Sequence, residues 1–168
     1  MWNKIVDFFK RIKPYILPYA VSIAIPLTVG LISAALTKDN MRVYDELKTP
    51  PLAPPALLFP IVWTILYVLM GVSSAMIFNN RESNPDAAKK GLLWYGASLA
   101  LNFSWSIIFF NMQAAFFALL VLIALLFTII RTIIEYRKIK PVAAYLQIPY
   151  ALWVAFAGYL NAGIWLLN

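Results

Sequence analysis

Five apolar stretches dominate the chain, and polar connections separate them. They cover residues 15–37, 56–78, 91–110, 114–134 and 142–167. Each has close to the roughly 20 residues that a helix needs to cross the hydrocarbon core of a bilayer. Backbone N–H and C=O groups in lipid have to be paired within their own segment, so helices and not strands are expected. The pattern predicts an all-α membrane protein, a bundle of five transmembrane helices.

Residues 1–14 have a different pattern, in which Trp2, Phe8 and Phe9 alternate with basic residues such as Lys4 and Lys10. This arrangement is typical of a short amphipathic segment that lies in the membrane interface. We therefore divide the chain into an interface segment, residues 1–14, and a single five-helix transmembrane domain, residues 15–168.

Lysine and arginine are distributed unequally over the connections. Eleven of the 14 lie before the first span, between the second and third, or around the connection of the fourth to the fifth. Cytoplasmic connections are rich in these residues, so the N-terminus is predicted to be cytoplasmic and the C-terminus to lie on the other side. The net charge of +7 is dispersed in this way, which favours anionic lipid headgroups over nucleic acid as its partner.

Composition supports the membrane assignment and narrows the chemistry. The chain is 62% hydrophobic and 12% charged, whereas soluble domains average about 45–50% and about 25%. It has neither cysteine nor histidine, which removes disulfides, thiol nucleophiles and the commonest ligands of transition metals and haem. We expect no metal and no resident cofactor.

The connection between the first and second predicted helices, residues 38–55, is long and polar and ends in prolines. Pro50, Pro51, Pro54 and Pro55 fall within six residues. Proline restricts φ and biases the residue before it to extended geometry, so this segment is predicted to be stiff. We expect it to fold over the mouth of the bundle.

Aromatic and polar residues recur at helical spacing within three of the spans. These stripes are Trp63 and Tyr67; Asn102, Trp105 and Phe109; and Tyr150, Trp153, Ala157 and Asn161. Such residues commonly pack helices together or sit in the interfacial belt. A buried amide needs partners, however, so Asn102 has to face another helix or a cavity. Together the stripes favour a pocket with aromatic walls for a large apolar ligand.

Three of these segments resemble one family in the same order along the chain. They are FPIVWTILY (residues 59–67), YGASLALNFSWSIIFF (95–110) and AAYLQIPYALWVAFAGYLNAGIWLLN (143–168). The last two are similar to the family's Asn-x-x-Trp-Ser…Phe-Phe and Pro-Tyr-x-x-Trp…Phe-Ala…Leu-Asn patterns. The family is TspO/MBR, the translocator proteins or peripheral-type benzodiazepine receptors.

The resemblance implies a membrane protein that binds porphyrins such as protoporphyrin IX in a cavity closed by the first loop, with sterols and benzodiazepine-type ligands as further candidates. It also implies a regulatory role and a homodimer in the membrane. The ligand-binding residues that it implies are Tyr44, Pro54, Trp63, Tyr67, Asn102, Trp105, Trp153 and Ala157. Trp63 and Trp153 would be catalytic only if the protein degrades protoporphyrin IX in light.

The sequence also departs from the family. Leu52 stands where many relatives have tryptophan, and Ser98 where glutamine is common. The sterol pattern of the animal proteins requires a basic residue after the tyrosine of the fifth helix, and none follows Lys140. This favours a bacterial cytoplasmic membrane over a mitochondrial one.

Three functions stay open at this point: a regulatory binding protein, a light-dependent porphyrin-degrading enzyme, and a carrier of porphyrin or sterol. No ionisable residue is expected deep within a span, which argues against ion-coupled transport. Small residues at helical spacing, Ala100 with Ser104 and Gly71 with Ala75, are candidate contacts of the dimer.

Overall fold

The computed structural model describes residues 2–41 and 43–168, with side chains from residue 16 onward except those of residues 42, 43 and 45. The helices are α1 (Trp2–Thr37), α2 (Val43–Glu46), α3 (Leu58–Asn79), α4 (Pro85–Ser106), α5 (Ala115–Arg137), α6 (Pro141–Tyr145) and α7 (Ile148–Leu167). A 3₁₀ turn, Arg81–Ser83, precedes α4, and a π-helical turn, Ile107–Asn111, continues it.

Five helical stretches are long and apolar enough to cross a membrane, as the hydrophobic pattern predicts. They are Ile16–Thr37, Leu58–Asn79, Pro85–Asn111, Ala115–Arg137 and Pro141–Leu167. The five-helix membrane bundle is therefore confirmed. Residues 2–14 of the predicted amphipathic segment belong to the backbone of α1. The side chains of this segment lie outside the described residues, so its interfacial role stays a prediction.

Local chemistry explains where the helices begin and break. Asn84 caps α4 by accepting a hydrogen bond from the Ala87 N–H at 3.2 Å, and Pro85 occupies the first turn, where its missing N–H costs nothing. The last predicted span is broken between α6 and α7, because Pro149 has no N–H to continue the helical ladder. The buried Gln147 side chain lies at this break and donates to the Ser73 hydroxyl at 3.1 Å.

Helix α1 approaches α3 closely because glycines lie at the contact. A Cβ atom built on Gly71 would clash with the Cα of Ile23, and one on Gly30 would clash with the Tyr67 ring. Gly71 and the fully buried Ala75 are thus used within one chain, so the prediction that this pair contacts a second copy is wrong. The other predicted pair, Ala100 with Ser104, can still contact a second copy, since Ala100 is exposed and Ser104 is half-buried.

Substituting Gly71 tests this packing. We expect Gly71→Ala to lower the thermal unfolding midpoint, because the added methyl meets backbone that cannot rotate away, and overpacking costs about 1–3 kcal/mol. Gly158→Ala is the matched control, since it lies in helix α7 with no atom within 4 Å of its built Cβ. Circular dichroism in mild detergent measures both. Equal midpoints for the two variants would contradict the close α1–α3 contact.

Candidate functional site

A cavity of about 360 Å³ lies at the end of the bundle nearest to the connection between α1 and α3. Its walls come from α1, α3, the end of α4 with the π-helical turn, and α7, and Tyr44 of α2 also contributes. The lining residues are Leu27, Gly30, Leu31, Ser33, Ala34, Thr37, Met41, Tyr44, Ala56, Phe59, Pro60, Trp63, Thr64, Tyr67, Trp105, Ser106, Phe109, Phe110, Ala157, Leu160, Asn161 and Ile164.

The connection between α2 and α3, residues 47–57, which we call the lid, is tied to α7, and its residue Ala56 lines the cavity. The Asn168 side chain accepts from the Lys48 N–H and donates to the Lys48 carbonyl, each at 3.0 Å. The Tyr159 hydroxyl donates to the Pro51 carbonyl at 2.9 Å, and Pro50 is buried against Gly163. The proline-rich segment therefore has fixed anchors along α7.

Trp63 and Tyr67 form the aromatic wall on α3. Their rings are stacked with centroids 5.5 Å apart and planes inclined by 28°. Tyr150 of α7 meets the Trp63 indole edge-to-face at 6.1 Å, and the Tyr67 hydroxyl accepts a hydrogen bond from the Asn102 amide at 3.1 Å. Offset and edge-to-face contacts of this kind hold aromatic rings in defined orientations.

The opposite wall depends on the π-helical turn after α4. Trp105 stacks on Phe109 at 5.5 Å, and Phe110 meets Phe109 edge-to-face at 5.0 Å. Wider winding lets both phenylalanines line the cavity, and π-helical turns are frequent at functional sites. The Trp105 indole N–H donates to the Asn161 side-chain oxygen at 3.1 Å, while the Asn161 amide donates to the Ala115 carbonyl at 2.7 Å.

Five of the eight residues expected to bind ligand line the cavity: Tyr44, Trp63, Tyr67, Trp105 and Ala157. The other three lie outside its lining. Asn102 is buried behind Tyr67, which it orients. Trp153 is separated from the cavity by Phe59, whose ring it meets at 5.9 Å. Pro54 lies half-buried in the lid.

Helix α1 supplies lining residues that the sequence analysis did not select. Ser33 is the most distinctive, because its hydroxyl is buried and has no hydrogen-bond partner among the described residues. Thr37, one turn later, donates to the Ser33 carbonyl at 2.9 Å. The small residues Gly30, Ser33 and Thr37 at helical spacing are the signal that could have identified this wall.

The cavity is apolar, and its polar groups are mostly paired within the protein. Among the described lining residues there is no lysine, arginine, aspartate or glutamate. A charged group inside would therefore lack a counter-ion and would bear the full cost of desolvation. The part of any ligand that the cavity encloses has to be uncharged and largely hydrophobic.

The Trp105–Asn161 hydrogen bond can be tested with a double-mutant cycle. We expect Asn161→Leu to lower stability by about 1–3 kcal/mol, since it leaves the Trp105 N–H and the Ala115 carbonyl without their partner. Trp105→Phe combined with Asn161→Leu should cost less than the sum of the two single variants. Denaturation in detergent gives the three free energies. Strictly additive values would show that the two side chains do not interact.

Comparisons with known proteins agree with this architecture. The sequence profile of the TspO/MBR family matches residues 22–166. The Tryptophan-rich protein TspO of Chlorobaculum tepidum is 34% identical to this chain, over 91% of the chain and 97% of the relative. The corresponding figures are 35%, 91% and 98% for the protein of the same name from Archaeoglobus fulgidus, and 33%, 84% and 84% for the Translocator protein of Bos taurus. With this match over most of its length, and with five helices that can span a membrane, the chain belongs to the TspO/MBR family.

Proposed function

We propose that the protein binds a flat hydrophobic ring compound, a porphyrin such as protoporphyrin IX, in the cavity beneath the lid, and that it acts as a membrane-embedded sensor of that ligand. The observation that carries the proposal is the convergence of aromatic residues from α2, α3, α4 and the π-helical turn on one apolar chamber. Aromatic faces stack favourably on an extended π-system, and the volume of about 360 Å³ falls within the roughly 300–1,000 Å³ of ligand pockets.

The charges of a porphyrin fit this site in only one orientation. Its two carboxylates have to remain at the mouth, because no cation lines the chamber among the described residues. Lys38 directly follows the lining residue Thr37 and is exposed at this end of α1. The unpaired Ser33 hydroxyl provides one polar contact for a nitrogen or oxygen of the enclosed part.

A regulatory role accounts for the site better than hydrolysis or ion-coupled transport does. Hydrolysis requires acid–base groups and ion-coupled transport requires ion-binding groups, and the described lining residues include no charged side chain for either role. A bound ring would contact Tyr44 and Phe59, whose rings meet at 5.3 Å beneath the lid. Binding of the ligand would thereby change the contacts of residues next to the lid, at the end of the bundle where a partner could detect the change. The exposed Ala100 with Ser104 on α4 is the surface that we propose for a homodimer.

Titration with protoporphyrin IX in nanodiscs tests binding. We expect saturable quenching of tryptophan fluorescence, and about twofold to tenfold weaker binding for Trp63→Ala, since a ring contact is worth about 0.5–1.5 kcal/mol. Trp94→Phe is the control, because Trp94 packs on Phe127 and Arg131 outside the cavity lining. Its affinity should stay within twofold of the unsubstituted protein. Linear quenching without saturation would contradict specific binding.

Light-dependent degradation of the bound porphyrin is a second candidate, favoured by the position of Trp63. Its indole lines the chamber and stacks on Tyr67, so it would lie against the macrocycle and could donate an electron to its excited state. Trp153 lies one aromatic layer further away, behind Phe59. The two tryptophans would therefore contribute unequally to such a reaction.

Illumination of the loaded protein separates these candidates. If degradation occurs, we expect loss of the Soret absorbance to stop in Trp63→Phe and to be slowed only about twofold to fivefold in Trp153→Phe, because an intervening ring weakens electron transfer. Absorbance that is stable in light would support binding alone. Flux of porphyrin into ligand-free vesicles would instead indicate a carrier. Equal loss in both variants and the unsubstituted protein would exclude either tryptophan as donor.

A further inference from the structure

We infer that the ligand reaches the cavity sideways from the bilayer, through a slit between α1 and α3, and not by release of the lid. This inference rests on the proposed function of the cavity. It specifies the ligand class further: compounds that dissolve among acyl chains and present an uncharged ring edge to the protein.

The slit is defined by Leu31 and Ala34 of α1 and by Pro60 and Thr64 in the first two turns of α3. All four residues line the cavity, and all four are also exposed. Leu31 is 71% exposed. Lining residues that are also exposed indicate that the two helices leave an opening here.

The close contacts between α1 and α3 explain why the opening is confined to one end. Gly71 lies against Ile23 and Gly30 against Tyr67, so the antiparallel helices touch up to that level. Continuing the same register places Ala34 beside Thr64 and Thr37 beside Pro60. Their side chains are too small to fill the gap, and no hydrogen bond joins α1 to α3 among the described residues.

Elsewhere around the chamber, hydrogen bonds join the neighbouring elements. The end of α1 is tied to the π-helical turn, because the Asn111 amide donates to the Leu36 carbonyl and the Asn40 amide donates to the Asn111 oxygen, each at 3.0 Å. The lid is held to α7 by the Asn168 and Tyr159 hydrogen bonds. Opening the lid would break several bonds, whereas the slit requires none to be broken.

The position of the slit identifies what fills it. Leu31 and Ala34 belong to the span Ile16–Thr37, and Pro60 and Thr64 to the span Leu58–Asn79, so the slit lies within two membrane-spanning segments, in their two turns nearest the lid. Its rim is apolar apart from the Thr64 hydroxyl, which is already bonded to the Pro60 carbonyl at 2.8 Å. Acyl chains are the matching partner, and a ring dissolved among them meets the Trp63 wall directly.

Cross-linking can close each route separately, because the chain contains no cysteine. The slit staple is Ala34→Cys with Thr64→Cys, joined by a short bifunctional maleimide. The lid staple is Pro50→Cys with Gly163→Cys, two positions already in contact. Protein in proteoliposomes is cross-linked after folding, and protoporphyrin IX is delivered from phosphatidylcholine vesicles. The single-cysteine variants treated with a monofunctional maleimide are the matched controls.

We expect the slit staple to slow both porphyrin association and porphyrin dissociation at least tenfold relative to the monofunctionally labelled single-cysteine variants, because a blocked route slows entry and exit together. Protein loaded before stapling should retain its porphyrin. The lid staple should leave both rates within twofold. Unchanged rates with the slit staple, or slowing by the lid staple alone, would overturn the inference.

A readout without porphyrin keeps this test separate from the proposed function. Acyl chains brominated in the half nearest the headgroups quench indoles that they approach closely, and the Trp63 contribution is the difference between the unsubstituted protein and Trp63→Phe. We expect quenching of this contribution that the slit staple removes and the lid staple does not. Absence of quenching would show that the slit is covered, for example by a second copy, and would overturn the inference even if porphyrin binds.

Discussion

Hydrogen bonds between buried polar side chains and groups on neighbouring helices join the helices of the bundle, because a polar group in a bilayer gains most from a partner within the protein. Asn161 joins the Trp105 indole to the Ala115 carbonyl, so that α7, α4 and the start of α5 are linked through one side chain. At the other end, the Ser73 hydroxyl donates to the Ala143 carbonyl at 2.7 Å and accepts from Gln147. Water would compete for such bonds at a surface, but in hydrocarbon a lost bond leaves an unpaired group.

Such hydrogen bonds also shape the cavity. Because Asn102 and Asn161 are satisfied by protein partners, they orient aromatic rings and do not offer polar groups to a ligand. The chamber is lined mainly by aromatic and aliphatic side chains, with a few polar groups that include the Ser33 hydroxyl, which has no hydrogen-bond partner among the described residues. Selectivity in such a site comes from the shape and flatness of the ligand, because few directional contacts are available.

Glycines and other small residues determine where the wall between α1 and α3 is closed and where we propose that it opens. Where Gly30 and Gly71 bring α1 against α3, the bundle is sealed to lipid. Beyond that level the lining residues Ala34 and Thr64 are exposed, and we infer that the wall opens there. The lid has a different physical basis, since hydrogen bonds to its backbone from Asn168 and Tyr159 hold it to α7. At this end of the bundle the lid is therefore held to α7 by hydrogen bonds, whereas the proposed slit between α1 and α3 has none among the described residues.

The five spans could be predicted from the sequence because each requires about 20 consecutive apolar residues to cross the hydrocarbon, and such a run is a local property of the chain. The stripe residues Trp63, Tyr67, Trp105 and Ala157 could be selected for the same reason, since helical spacing alone places them on common faces. What each face meets depends on how the helices are rotated and crossed. Asn102 and Trp153 carry the same local signal as their neighbours, yet they pack behind Tyr67 and Phe59.

Tertiary packing likewise decided that Gly71 serves the α1–α3 contact within a chain, although its spacing is equally typical of contacts between chains. It also brought Ser33 of α1 into the chamber and anchored the proline-rich lid to Asn168, 120 residues from Lys48. The length and polarity of each helix depend on consecutive residues, so they can be predicted directly from the sequence. The partners of each helix face come from residues distant along the chain, and only the folded bundle brings them together.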